Sequence, residues 1–334
     1  MKTTSYLTIL LTALLAGTSP MLHAQAPPEG AVQATSAGAT GAPSTKIKKK
    51  KKKVVETTVV TSEGKEFKEA TIIAQPKSRI SGDLGVSVLN QYNTRGIIVQ
   101  SKGAIFQPYG DLYLNVYNGE GFINRVSLQA GFWSDLSSDN TVSNPKYSGS
   151  VRNFTELDFI PGISVQFLKR FNFTLLYDNW ITPAGGYGAG QWIQGILGYD
   201  DSNLLLKNFS FQPLLKVLYE LPSDTPAGLS PHGWYYEPSI TPNYTFFSTS
   251  KYPLNVGLNA TLGLGSQFYG HDTFGYLAVG PQISVPLGFI PADFGKWVLS
   301  AGYRYYDLGN TTAAIAPGHD HSQNLYSLSL GLKF

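Results

Sequence analysis

Asn324-Leu-Tyr-Ser-Leu-Ser-Leu-Gly-Leu-Lys-Phe334 alternates without a break, with Tyr326, Leu328, Leu330, Leu332 and Phe334 on one face and Ser327, Ser329, Gly331 and Lys333 on the other. Successive side chains of an extended strand point to opposite faces, so this period of two gives one face suited to hydrocarbon and one suited to water. A soluble sandwich strand also alternates. The aromatic at the strand's last position is the added feature, and it predicts a strand of a transmembrane β-barrel whose apolar stripe, Tyr326 to Phe334, doubles as the signal read by the barrel assembly machinery.

Working back along the chain, Leu254-Asn-Val-Gly-Leu-Asn-Ala-Thr-Leu-Gly-Leu264 repeats the pattern, with Asn255, Gly257, Asn259, Thr261 and Gly263 opposite the aliphatic stripe. Trp297-Val-Leu-Ser-Ala-Gly-Tyr-Arg-Tyr305 turns aromatic and aliphatic residues outward and Ser300, Gly302 and Arg304 inward. Similar segments lie near 80–92, 105–117, 122–134, 153–167, 171–181, 207–220, 234–247 and 274–287. With 324–334 they make eleven strands, and the weaker Gln191–Tyr199 segment makes a twelfth. Even strand numbers are the rule in bacterial barrels, and counting the twelfth turns Asn118–Gly121, Leu168–Arg170 and Ser248–Ser250 into short periplasmic turns, with 135–152, 220–233 and 307–323 as long outer loops. The prediction is therefore all-β: a single antiparallel transmembrane barrel of about twelve strands over 78–334. Pro108, Pro161, Pro213, Pro238 and Pro281 fall inside these strands, and because proline donates no ladder hydrogen bond they are expected at bulges or at strand starts near the rim.

The N-terminal quarter has a different character. Lys2, an apolar run from Tyr6 to Ala16 and Leu22-His23-Ala24 predict a signal peptide over 1–24, cleaved before Gln25. The run is shorter than the ~20 residues a spanning helix needs. Export of this kind directs the barrel to the bacterial outer membrane. Residues 25–53 form an Ala/Pro/Gly-rich linker too poor in large apolar side chains to fold, ending in the unbroken tract Lys48–Lys53. Mutual repulsion keeps that tract solvated, and its charge suits anionic lipid or envelope polymer. Over 54–77 two short β-prone pieces, 54–60 and 70–73, flank Gly64 and predict a small periplasmic hairpin or unstructured chain.

Lys2, Lys46 and Lys48 to Lys53 hold eight of the 25 basic residues, so the remainder has 17 basic residues and, Glu29 apart, 21 of the 22 acidic ones. A basic nucleic-acid surface on the folded part is thereby excluded. No cysteine occurs, which removes thiolate chemistry. Phosphate-loop, dinucleotide, hydrolase-elbow and zincin motifs are missing as well, so the expectation is a protein that is not an enzyme and carries no cofactor. His232, His271, His319 and His321 fall in outer loops; His271-Asp272 and His319-Asp320-His321 have donors for a divalent metal, but exposed loop polarity is the simpler account and no metal site is expected. His321 and Ser322 are neighbours on a strand and point to opposite faces, so they cannot share a proton as a lipase pair.

Two regions carry a family likeness. Asn90-Gln-Tyr-Asn-Thr-Arg95-Gly96 followed by Gln107-Pro108, together with Pro213–Glu220, Gly233–Glu237, the strand from Leu254 and Phe274-Gly-Tyr276, resembles the TorF-type porins of bacterial outer membranes over 80–334. The resemblance implies passive pore function and supplies no catalytic residues.

The inward positions carry the remaining information. Asp83, Asp111, Arg125, Glu156, Asp158, Asp178, Lys216, Glu220, Glu237, Arg304 and Lys333 are predicted to line the lumen, with Tyr109, Tyr113 and Trp133 among them. Isolated charges in a narrow interior are costly, so they must pair or face water. Charges lining opposite walls give a passive channel for small polar solutes, mildly favouring cations because seven of the eleven are acidic. Charges closed into a network give instead a plugged barrel, a structural or adhesive surface protein anchored to the envelope by its lysine-rich segment.

Overall fold

The computed structural model describes residues 57–60, 66–69, 79–139, 151, 153–185, 187–223 and 233–334. The signal peptide at 1–24, the linker and lysine tract at 25–53, the β-prone piece at 70–73 and His232 lie outside the described residues. Two compact units are present. In the smaller, β1 (Thr57–Val60) pairs antiparallel with β2 (Glu66–Glu69), Thr57 opposite Glu69 and Val60 opposite Glu66.

The larger unit contains β3 (Ile80–Leu89), β4 (Tyr92–Thr94), β5 (Ile97–Gln100), β6 (Ile105–Asn118), β7 (Ile123–Ser137), β8 (Phe154–Phe167), β9 (Phe171–Ile181), β10 (Gly190–Tyr199), β11 (Phe209–Ser210), β12 (Leu214–Glu220), β13 (Trp234–Ile240), β14 (Asn243–Phe246), β15 (Leu254–Tyr269), β16 (Asp272–Pro286), β17 (Lys296–Leu308), the helix α1 (Asn310–Ile315) and β18 (Ser322–Lys333). β11 and β12 are two pieces of one wall strand. β13 and β14 are two pieces of the next, since β15 pairs with β13 from Ala260 to Gln267 and with β14 from Leu254 to Gly257. Counted this way the wall is a closed antiparallel barrel of twelve strands. Its seam is the β18–β3 ladder, running from Ser327 opposite Leu89 to Lys333 opposite Asp83. Phe334 extends the seam with two backbone bonds to Gly82, of 2.9 and 3.0 Å.

Alternation sorts the wall as a period of two requires. Leu84, Leu112, Leu128, Phe159, Leu175, Ile193, Leu215, Ile283, Leu299 and Leu328 point outward and stay exposed, an apolar surface on strand after strand around the ring. The connections 119–122 and 168–170 lie at the same end as the start of β3 and the finish of β18, and are short. That end also has the longer connections 200–208 and 287–295, while the opposite end has both the extended 90–104 and 309–321 and the two-residue turn 270–271, so the expected asymmetry is incomplete.

The prolines correct one expectation. Pro108, Pro161, Pro238 and Pro281 sit in mid-strand on the outer face rather than at strand starts, and each leaves one of its two ladders intact: Pro108 pairs with Val86, Pro161 with Ala130, Pro238 with Leu215 and Pro281 with Leu258. The other ladder has a local gap, for example between Phe159↔Asn179 and Gly162↔Leu176, and the register is the same on both sides of it. The same holds between Tyr236↔Leu264 and Ser239↔Thr261, and between Val279↔Tyr305 and Gln282↔Gly302. A missing N–H removes a bond on one side only, so no extra residue and no bulge is needed. Of these five only Pro213 separates two strand pieces, as Pro242 does between β13 and β14.

Candidate functional site: the lumen and its inward hairpin

β4 and β5 belong to no wall ladder; they pair only with each other. Their connection is Arg95-Gly96, with φ of 54° and 79°, the two positive values that a two-residue type I′ turn demands. The hairpin folds into the barrel. Its tip lies against Tyr276, since a Cβ added at Gly96 would stand 2.7 Å from Tyr276 Cδ1. Tyr269 donates its hydroxyl to the Arg95 carbonyl at 2.7 Å. Tyr92 packs on Trp133 at 5.3 Å between ring centroids and donates to Glu156 at 3.2 Å. α1, in the connection 309–321, packs on β16 and reaches β5. Tyr187, from the connection after β9, also donates to Glu156. Burial, reinforced by the neighbouring Glu156, holds the Tyr187 hydroxyl well above its usual range and hence protonated as a donor.

One wall behind the hairpin is a checkerboard of tryptophans and carboxylates, laid out by cross-strand register. Trp133 on β7 stands opposite Asp158 on β8, and Asp158 stands opposite Trp180 on β9. Asp178 on β9 is opposite Trp192 on β10, and Trp192 is opposite Glu220 on β12. Asp135 is opposite Glu156 and accepts a 3.0 Å bond from Gln107. The Trp180 and Trp192 rings are 4.5 Å apart, and Trp180 covers Gly190 so closely that a Cβ there would fall 1.7 Å from its ring. The Arg95 guanidinium rests over the Trp192 face at 3.8 Å. Its charge acts on Glu156, Asp158 and Asp178.

Further round the ring, from β12 to β17, the inner face carries a second polar cluster. Lys216 bridges Glu237 at 2.9 Å, and Tyr235 and Tyr276 both donate to the other Glu237 oxygen, Tyr276 at 3.0 Å. Arg304 donates to Asn259 at 2.6 Å. Between this cluster and the tryptophan wall lies a cavity of about 250 Å³, roofed by the hairpin and bordered by Gln107, Gln194, Asn259, Gln282 and Ser300. Nearer the seam end Asp83 stands opposite both Asp111 and Lys333, and Gln129 donates to Asp111 at 2.6 Å. Arg125 pairs across to Gln166 on the same inner face.

The eleven charges singled out in the sequence thus fall into three groups: Glu156, Asp158, Asp178 and Glu220 on the tryptophan wall; Lys216, Glu237 and Arg304 further round the ring on β12, β13 and β17; Asp83, Asp111, Arg125 and Lys333 toward the end where β3 starts and β18 finishes. Four participants were missed. Asp135 was assigned to the loop at 135–152, whereas β7 continues to Ser137. Trp180 and Trp192 lie on inner faces that the sequence marks only by charge, and Arg95 falls in the connection between the first two strands, where alternation gives no inward position. Among the described residues no group of three or more His, Asp or Glu side chains is arranged to hold a metal ion, and His321 Nδ1 is taken up by the Leu308 carbonyl at 2.9 Å.

No family model matches the chain, and no curated protein matches it. Among solved structures it is similar to the β domain of the Bordetella autotransporter BrkA (TM-score 0.42, 11% identity, 76% of this chain and 98% of that one). It is also similar to an outer membrane channel from Pseudomonas putida F1 (0.41, 10%, 78% and 99%) and to the NanC porin (0.38, 11%, 75% and 100%). The fold itself is defined by the strand pairing within the chain.

Proposed function

We propose that the protein is a porin-like channel of the bacterial outer membrane, passing small polar solutes without chemistry or energy input through a constriction set by the β4–β5 hairpin. The polar cavity of about 250 Å³ inside a closed ring carries this reading. A dry core would bring its facing side chains into contact, as protein interiors do; here glutamine, asparagine and serine border a space with room and hydrogen-bonding partners for water. The outward leucines and phenylalanines need a cover that no other described part of the chain provides, and hydrocarbon is the cover that a closed ring of strands accepts, because every backbone donor in a complete ladder is already used. Purified protein refolded into planar bilayers tests the proposal: discrete current steps are expected, and persistent silence from correctly folded protein refutes it.

A further inference from the structure

We infer that the tryptophan–carboxylate wall is a binding site for guanidinium-bearing solutes, and that Arg95 occupies part of it as the chain's own ligand. This rests on the channel reading for the solute's access to the lumen, and it adds the solute's chemical class.

The turn itself is the first observation. A type I′ turn takes Asn, Asp or Gly at its first central position because these tolerate positive φ. At φ 54° arginine is sterically unfavourable, as any L-residue with a Cβ is in the left-handed region. Its side chain is what distinguishes it from the cheaper residues, and that side chain places a guanidinium flat on Trp192 at 3.8 Å. An arginine over a tryptophan face within about 6 Å is held by the ring quadrupole.

The second observation is independent of the turn. Asp158 is 1% exposed, yet apart from the neighbouring Glu156 carboxyl no donor meets its carboxyl oxygens, and Asp178 Oδ1 accepts no hydrogen bond. Buried acceptors left without donors are costly, and a pair of carboxylates beside a tryptophan face is what a planar fork of N–H donors satisfies. Arg95 supplies the stacking but sends its Nη1 bond to Thr94 Oγ1 at 3.0 Å, away from these oxygens. The wall is therefore half filled: its aromatic face is taken, while Asp158 and Asp178 Oδ1 receive no N–H donor. A free guanidinium can take both. Because the hairpin shares no ladder with the wall, it can yield without breaking a wall strand.

Three of the chain's five tryptophans, Trp133, Trp180 and Trp192, form this wall, so their fluorescence reads the site directly. Full-length protein refolded in detergent micelles would be titrated with L-arginine methyl ester, with L-lysine methyl ester and L-glutamate as controls. A saturable fluorescence change is expected for the arginine ester alone. Arg95→Gln, which removes the internal competitor, should tighten it about tenfold, and Asp158→Asn should weaken it tenfold or more; Asp178→Asn serves the same purpose should the first variant fold poorly. No saturable change in either wild type or Arg95→Gln, with both retaining β circular dichroism and heat-modifiable migration, overturns the inference. Equal response to the lysine ester overturns the guanidinium class and leaves a general cation site. Silent bilayers with saturable binding would remove the channel and keep the site; conducting bilayers without binding would do the reverse.

Discussion

Gly96→Ala is expected to drive the β4–β5 hairpin out of the lumen while leaving the barrel wall whole. Two costs fall on the seated hairpin. Alanine at φ 79° pays the left-handed penalty, about 1–2 kcal/mol. Its Cβ also meets Tyr276 at 2.7 Å from Cδ1 and 3.1 Å from Cβ and Cγ, and Tyr276 cannot swing aside because its hydroxyl is tied to Glu237 at 3.0 Å. Overpacking of this kind adds roughly 1–3 kcal/mol. Against the sum of about 2–5 kcal/mol stand the hairpin's own contacts: hydrogen bonds through Tyr92 and Tyr269 at about 1 kcal/mol each, and the Tyr92–Trp133 and Arg95–Trp192 ring contacts at about 1 kcal/mol each. The two sides are comparable, so the substitution shifts the seated-to-released ratio by roughly 30-fold to a few thousandfold at 1.4 kcal/mol per decade. Limited trypsin digestion followed by mass spectrometry reads this at one bond: the bond after Arg95 should be spared in the wild type, where the narrow barrel excludes the protease, and cut in the variant. Conductance should rise in parallel. A variant with wild-type protection at Arg95 and unchanged conductance would refute the seating geometry.

Lys216→Met leaves Glu237 buried with two tyrosine hydroxyls and no cation; breaking a buried pair costs about 3–5 kcal/mol, so the temperature at which the barrel loses its compact gel migration should drop clearly. The double change Lys216→Met with Glu237→Leu should recover most of that loss, since both charges are then gone. Phe334→Ala keeps the two backbone bonds to Gly82 but strips the ring that covers it, with Phe334 Cζ at 2.6 Å from a Cβ built there; refolding from urea should yield less closed barrel, and unchanged yield would show that the ring contributes nothing to the seam.

Much of the wall was legible because a period of two leaves its mark residue by residue. All twelve strands, including the weak one at Gln191–Tyr199, lie where alternation places them, and the β18 stripe from Tyr326 to Leu332 faces outward. Proline was misjudged because a single strand shows only that a donor is missing; that the loss falls on one neighbour and spares the other is a property of a strand with two partners. The site was harder. Glu156, Asp158 and Asp178 are individually recognisable as inward, but their grouping with Trp133, Trp180 and Trp192 depends on how four strands are staggered against one another, and no local pattern encodes that stagger. Arg95-Gly96 falls between two strands and carries no period of its own, and its inward fold is decided by Tyr269, Tyr276 and Trp192, more than 90 positions away.

The seam between β3 and β18 has a further consequence for how the molecule comes into being. Lys333 and Asp83 are 250 positions apart yet stand opposite each other in register, and the bonded pair beyond them, Phe334 and Gly82, is more distant still. Until those two strands meet, a partly made cylinder offers two bare margins to any passing strand, its own or another molecule's. Contacts between such remote positions form slowly, because the intervening chain must first be brought round. Ring closure is thus the slow and vulnerable moment in this protein's biogenesis, and shelter is needed most just before it.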